Sequence, residues 1–215
     1  MTEKKLKKLK NLYQKFETIS LGKHTSQAFR DDPKHLAFSM SRYKFASKML
    51  EGYDNVAEIG SGDGFQSEIV RQSVKNLTLV DIAEHNKEDY LRWNSNPTNY
   101  LIHNFVKKRL NKKFEGIYLI DVLEHIPKSL EKKFIKNIKI SLKKNGTVII
   151  GMPTLESQKY ASFLSKIGHV NCKNKYELKM FLYNFFTNVY MFSMNDEVIH
   201  TGFDKMSNYI FAVCN

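Results

Sequence analysis

Glu58-Ile59-Gly60-Ser61-Gly62-Asp63-Gly64-Phe65 closes the short strand-like run Val56-Ala57-Glu58-Ile59. Glycines just after a buried strand let the chain turn tightly and let a ligand approach the main chain. The spacing departs from the dinucleotide fingerprint GxGxxG, because the third glycine comes one place early and Phe65 stands where it is expected. No Lys-Ser/Thr pair follows, so this is not a phosphate-cradling loop either. Asp63 within the loop would repel a pyrophosphate. The loop therefore suits a nucleoside ligand without phosphates. Asp81 lies 21 residues after Gly60, where the next strand ends. A carboxylate there accepts two hydrogen bonds from a ribose diol. A glycine loop alone is a weak signal, since a plain tight turn before a helix gives the same residues. The strand, the loop and the acid at this spacing together point to a ligand site.

Working outward, strands and helices alternate. A helix over roughly 65–74 follows the loop. Leu77 to Val80 is a second strand, residues 84–95 a helix, and Tyr100 to His103 a third strand. Gly116 to Ile120 is a fourth strand, ending at Asp121. A Lys-rich helix covers about 128–143. Gly146 to Ile150 is a fifth strand, ending at Gly151-Met152-Pro153. Residues 175–185 read as helix, and Val189–Met194 and Tyr209–Cys214 as two last strands. The alternation predicts an α/β fold with a parallel sheet covered by helices on both faces. The last two strands predict an antiparallel hairpin added to it. On the N-terminal side, residues 35–50 have helical spacing, and 18–34 read as a polar connection ending in Asp31-Asp32-Pro33. Leu6, Leu9, Leu12 and Phe16 make an apolar stripe on a lysine-rich helix over 1–17. That stripe is expected to pack on the domain or on a partner subunit, which makes a homodimer through this helix one expectation. The organisation is thus an extension over 1–34 and one domain over 35–215.

These motifs resemble the class I S-adenosylmethionine-dependent methyltransferases. The matching residues are Glu58-x-Gly60-x-Gly62-x-Gly64, Leu79-Val80-Asp81-Ile82, Asp121-Val122-Leu123-Glu124-His125-Ile126, and Gly146-Thr147-Val148-Ile149-Ile150 with Pro153. The resemblance covers about residues 35–215. It implies a Rossmann-like seven-stranded sheet with the last strand antiparallel, and S-adenosyl-L-methionine as cofactor. It also implies that the loop, from Glu58 through Ser61, Asp63 and Phe65, contacts the methionine part of the cofactor. Asp81 with Ile82 then holds the ribose, and Asn104 with Phe105 takes the adenine, Asn104 through its side-chain oxygen where the family often has Asp. Asp121 and Val122 border the methyl group. Ser41-Arg42-Tyr43-Lys44-Phe45, Leu155-Glu156-Ser157-Gln158, Gly168-His169-Val170-Asn171 and Asn195 to Gly202 are further similar to bacterial methyltransferases found with surface-polysaccharide genes. That narrower resemblance implies a sugar-linked or other small acceptor.

In open α/β sheets ligands bind beyond the carboxyl ends of the strands. Three polar clusters fall there: Asp121 to His125, then Glu156, Ser157 and His169, then Asn195, Asp196, Glu197 and His200. Methyl transfer from a sulfonium requires alignment and removal of a proton from a hydroxyl or amine. An imidazole is a suitable base near neutral pH. His125 is the first candidate, followed by His169 and His200. Tyr43, Glu124, Glu156, Asn171, Asn195, Asp196 and Glu197 are the acceptor-binding candidates. His24, His35, His85 and His103 are expected to be structural or exposed. No metal is assigned: His125, Glu156, His169, Asp196, Glu197 and His200 offer donors but form no tight ligand motif. The stripe Tyr183, Phe185, Phe186, Tyr190 and Phe192 reads as core and hairpin packing rather than a base-stacking platform.

Composition bounds the remaining classes. The chain has 215 residues, of which 42% are hydrophobic and 13% aromatic, enough for a core without staples. No apolar run nears the ~18 residues of a membrane span, and no apolar segment follows the N-terminal lysines as in a secretory signal. The two cysteines, Cys172 and Cys214, make no metal or disulfide framework, so a cytoplasmic setting is expected. The net charge of +12 raises nucleic acid as a partner. Only five of the 34 basic residues are Arg, which favours a solvated lysine surface instead. A small-molecule O- or N-methyltransferase is therefore expected. RNA methylation and a non-catalytic cofactor-binding scaffold are the alternatives. The run after the fourth strand, Asp121-Val122-Leu123-Glu124, lacks the Asn/Asp-Pro-Pro-aromatic pattern of exocyclic-amine enzymes.

Overall fold

The computed structural model describes residues 1–215. In chain order the elements are α1 (Glu3–Tyr13), α2 (Lys23–Asp31), α3 (Pro33–Met49), β1 (Asn55–Ile59), α4 (Ser67–Arg71), β2 (Asn76–Asp81), α5 (Glu84–Trp93), β3 (Asn99–Ile102), β4 (Phe114–Ile120), α6 (Lys128–Ile140), β5 (Leu142–Pro153), α7 (Phe163–Gly168), α8 (Lys175–Leu182), β6 (Val189–Asn195), β7 (Val198–His200) and β8 (Tyr209–Cys214). They form one sheet in the order β3-β2-β1-β4-β5-β8-β6-β7. Strands β1 to β5 are parallel, and β8 runs antiparallel between β5 and β6. The order reverses at β1 and β4, which opens a crevice beyond their carboxyl ends.

Alternation along the strands sorts residues onto two faces. Ala57, Ile59, Ile117, Leu119, Val148 and Ile150 pack with Phe134, Ile135 and Ile138 of α6 and Leu178 and Leu182 of α8. Val56, Leu79, Tyr118, Ile149 and Phe211 pack with Tyr43 and Ala46 of α3, with Leu50 just after it, and with Val70 of α4. Helix α3 starts where Pro33 presets the first turn and Asp32 accepts the Lys34 N–H at 3.1 Å. The expected α/β sheet, with its antiparallel end and helices on both faces, is the one observed.

Four details differ from the sequence reading. The segment expected as a polar connection contains α2. Its Thr25 is buried, and a Cβ on Gly22 would lie 2.3 Å from the Asp63 carboxylate, so α2 rests against the glycine loop. Strand β7 turns back on β6 through Asp196, whose φ of 50° sits in the left-handed region, and adds an eighth strand. The stripe Leu6, Leu9, Leu12 and Phe16 is not packed on the domain: no residue of α1 is buried. In the aromatic stripe Phe186 is core, whereas Tyr183 and Tyr190 are exposed.

Candidate active site

The loop after β1 is built by main-chain contacts that only its glycines permit. Gly60 and Gly62 have φ of 76° and 56°. A Cβ on Gly60 would stand 2.4 Å from Val122 Cγ2, whereas one on Gly62 would meet no protein atom within 4 Å. Gly62 thus faces open space. Asp81 ties the loop to β2, accepting the Gly62 N–H at 3.0 Å through Oδ2 and the Ala83 N–H at 2.9 Å through Oδ1. The Tyr100 hydroxyl donates to the Gly62 carbonyl at 2.7 Å and fixes the loop from β3.

A cavity of about 350 Å³ opens beside this loop, within the range of small-ligand sites. Gly60, Gly62, Asp81, Ile82, Asn104, Phe105, Asp121, Val122 and His125 line it, together with His103, Val106, Ile126 and Phe134. Ile82 is 70% exposed and presents an apolar surface in the cavity. The residues fit the sulfonium cofactor implied by the sequence: a glycine cradle open at Gly62, an acid at the ribose position and apolar walls for a base. Asn104 differs from expectation in its chemistry. Its Oδ1 already accepts the N–H groups of Val106 at 2.8 Å and Lys107 at 3.3 Å. Its free group is therefore the Nδ2 donor, which suits a ring nitrogen rather than an amino group. His103, expected to be structural or exposed, lines the wall with its ring edge-on to Phe105.

Several cofactor candidates support the loop from below instead of facing the cavity. Glu58 is fully buried and accepts hydroxyls from Tyr43 at 2.8 Å and Tyr118 at 2.6 Å. Burial pushes its carboxyl up to about 7, against the pull of those hydroxyls. Asp63 is buried and accepts the Phe65 N–H, and Phe65 packs edge-on against Trp93. Ser61 is buried with its hydroxyl unpaired.

Beyond β4 the chain enters a strained turn at Asp121, with φ of 58°. Arg42 holds it: Nη1 lies 2.7 Å from Asp121 Oδ2, and the guanidinium lies 3.9 Å from the centre of the Tyr209 ring. Glu124 is fully buried, and neither carboxylate oxygen has a hydrogen-bond partner. Burial first, then the nearby Asp121 charge, push its carboxyl well above the ordinary range. The Glu124 carbonyl accepts the Val170 and Asn171 N–H groups, and this clasp brings His169 to the turn. The rings of His125 and His169 meet edge to face, 5.1 Å apart.

Hydrogen bonds define the three histidines. His125 Nδ1 lies 2.9 Å from the Gly168 carbonyl, so Nδ1 carries the proton and Nε2 the lone pair. His169 Nδ1 likewise donates to Gln158 Oε1 at 2.8 Å, with the Gln158 amide fixed by its own donation to Thr154 O. Burial, then the neighbouring His125, lower the His169 pKa. His200 is different. Its Nδ1 accepts the Gly202 N–H and its Nε2 donates to Asn195 Oδ1, leaving no lone pair for a base. It also sits on β7, four strands from β4, or roughly 19 Å at ordinary strand spacing.

The acceptor candidates separate in the same way. Asn195, Asp196 and Glu197 lie with His200 at the far edge of the sheet. Tyr43 is spent on Glu58. Asn171 is buried, donating to Ile126 O and Glu131 and accepting from Lys173. Glu156 is exposed at the start of a 3₁₀ turn. Glu124, His125 and His169 are the ones brought together. Sequence reasoning missed Arg42 as a site residue, although it is one of only five arginines.

A methyltransferase-domain family model matches residues 23–197. No curated protein matches the chain in sequence. Among solved structures, an S-adenosylmethionine-dependent methyltransferase from Clostridium acetobutylicum superposes with a TM-score of 0.67 at 13% identity, covering 88% of this chain and 95% of that one. DhpI with S-adenosylhomocysteine gives 0.66 at 11% identity, covering 89% of each chain. The N-methyltransferase NodS from Bradyrhizobium japonicum, also with S-adenosylhomocysteine, gives 0.62 at 16%, covering 86% and 89%. At these identities the likeness is one of fold. With the family model spanning most of the chain and a nucleoside cavity at its glycine loop, the protein belongs to the methyltransferase-domain family and is an S-adenosylmethionine-dependent methyltransferase.

Proposed function

We propose that this enzyme methylates a hydroxyl or amine of a small acceptor, a sugar-linked or phosphorylated metabolite of cell-surface polysaccharide synthesis. The observation that carries the small-acceptor reading is the mouth of the cavity. There Asp121 and His125 line the wall, and the half-buried His169 meets His125 edge to face. These groups suit one polar function of modest size. When bound, S-adenosylmethionine supplies an electrophilic methyl group. The protein's own task is to align the acceptor and to receive its proton. Asp121, held by Arg42, accepts a hydrogen bond from the acceptor. Nε2 of His125, with His169 beside it, takes the proton. Support for the sugar-linked class is the local sequence resemblance around Arg42, Gln158 and His169.

The test is a screen of nucleotide-linked sugars and phosphorylated metabolites, with formation of S-adenosylhomocysteine as readout. Turnover on a member of that set is the expected result. Turnover confined to RNA, weakened steeply by salt, would replace the proposal with the RNA reading favoured by the net charge of +12.

A further inference from the structure

We propose that Glu124, His125 and His169 form a binding site for one first-row divalent cation at the acceptor end of the cavity. One ligating atom from each lies within 4.8 Å of the other two. Ligands about 2.0–2.2 Å from a common tetrahedral ion stand about 3.3–3.6 Å apart, so side-chain closure of up to about 1.5 Å completes the set. The three come from two segments already joined by main-chain bonds, since the Glu124 carbonyl accepts from Val170 and Asn171. Little ordering remains to be done when the ion arrives.

Two independent features point to a cation. The Glu124 side chain is fully buried with both carboxylate oxygens unpaired, an arrangement proteins seldom leave uncompensated. No hydrogen bond from Arg42 reaches it: Arg42 Nη1 is committed to Asp121, and only the guanidinium's charge acts on Glu124. Moreover, each imidazole donates through Nδ1 to an oxygen that can only accept, Gly168 O and Gln158 Oε1. That second set of contacts fixes the tautomers in which Nε2 is the coordinating nitrogen, as in established histidine–metal sites. Two imidazole nitrogens and one carboxylate select a borderline ion such as zinc, manganese or cobalt over magnesium or calcium. His125 is exposed, which provides the path of entry.

The chemical role of the ion rests on the methyl-transfer reading and deepens it. Three protein ligands leave coordination positions for an acceptor oxygen. With the ion bound, an acceptor hydroxyl held there would be more acidic and would lose its proton to solvent, and both imidazoles would be ligands; the base role given above to His125 then belongs to the ion-free protein.

The experiment titrates metal-stripped full-length protein with Co²⁺, followed by its visible absorption, and with Mn²⁺, followed by loss of the free-ion paramagnetic resonance. Neither cofactor nor acceptor is present. One equivalent is expected to bind, and His125→Ala, His169→Ala and Glu124→Gln should each weaken it about tenfold or more. Thermal unfolding and S-adenosylhomocysteine binding, measured on the same samples, report the fold. His125→Ala is exposed and keeps the comparison valid if Glu124→Gln fails to fold. No spectral change up to about 1 mM ion, or unchanged affinity in folded His125→Ala and His169→Ala, overturns the site. Cofactor binding that persists without ion binding sinks this inference alone, whereas ion binding without cofactor binding sinks the methyl-transfer reading.

Discussion

Replacing Asp81 by alanine removes the acid that anchors the nucleoside end of the cavity. The side chain is 8% exposed and carries two backbone N–H groups, those of Gly62 and Ala83. It therefore shapes the loop, and under the ribose assignment its remaining lone pairs would accept from a ribose diol. Losing charge-assisted bonds to the ligand should cost about 1.5–3 kcal/mol of binding, a rise in Kd of roughly 10- to 150-fold. Losing the loop contacts should appear separately as a lower Tm, because the Gly62 and Ala83 N–H groups lose their acceptor. Calorimetric titration with S-adenosylhomocysteine measures the first effect. A cofactor analogue lacking one ribose hydroxyl separates it from the second. That analogue should bind the native protein more weakly, yet bind Asp81→Ala no worse than the complete cofactor does, since the partner is already gone. Affinity within twofold of native would refute the ribose assignment. A penalty for the missing hydroxyl that survives in Asp81→Ala would assign the diol to another group.

Gly62→Val should abolish cofactor binding in the same titration, because its Cβ enters the open cradle and a β-branched residue must hold a φ of 56°. His125→Ala should lower kcat about 10²–10⁴-fold with cofactor affinity unchanged; a change confined to KM would make it an acceptor contact only. The native rate should fall on the acid side, and where His169 governs the fall it lies below imidazole's ordinary 6.5, because burial and His125 lower that group. Glu58 makes a stability prediction. Its carboxyl is raised from 4.5 to about 7 in the fold, so the native state binds the proton more tightly than the unfolded chain does. Its contribution, of order 3 kcal/mol, is fully present below pH 4.5 and is lost as pH rises through 7. Chemical denaturation across that range should show the decline in the native protein and a flatter profile in Glu58→Gln. Parallel profiles would refute it.

Local chemistry made the frame of the molecule readable from the chain itself. The glycine loop after β1, the acid at the end of β2 and the acid after β4 are each set by turn geometry and strand ends within a few residues. The alternation of apolar periods fixed the sheet and its antiparallel end in the same way. Helix α2 escaped notice because its nine residues, Lys23–Asp31, are mostly polar and bury only Thr25, so little apolar surface marks its packed face. The site itself depended on contacts between distant residues. Arg42 reaches Asp121 across 79 positions, and the Gly168 carbonyl that orients His125 lies 43 positions away. Tyr43 and Asn171 have the chemistry of ligand contacts, but their partners Glu58 and Glu131 are brought to them only by packing. His125, His169 and His200 are the same residue type at the same rim in sequence terms. Strand order carries His200 to the far edge, and the hydrogen-bond partners of the three rings decide that only the first two keep Nε2 free: His125 and His169 donate through Nδ1, whereas His200 accepts there and donates through Nε2. Residue type and local spacing thus determined the fold and the nucleoside end of the cavity. The acceptor end was decided by tertiary structure, because a hydrogen bond's partner depends on where separate segments come to rest against one another.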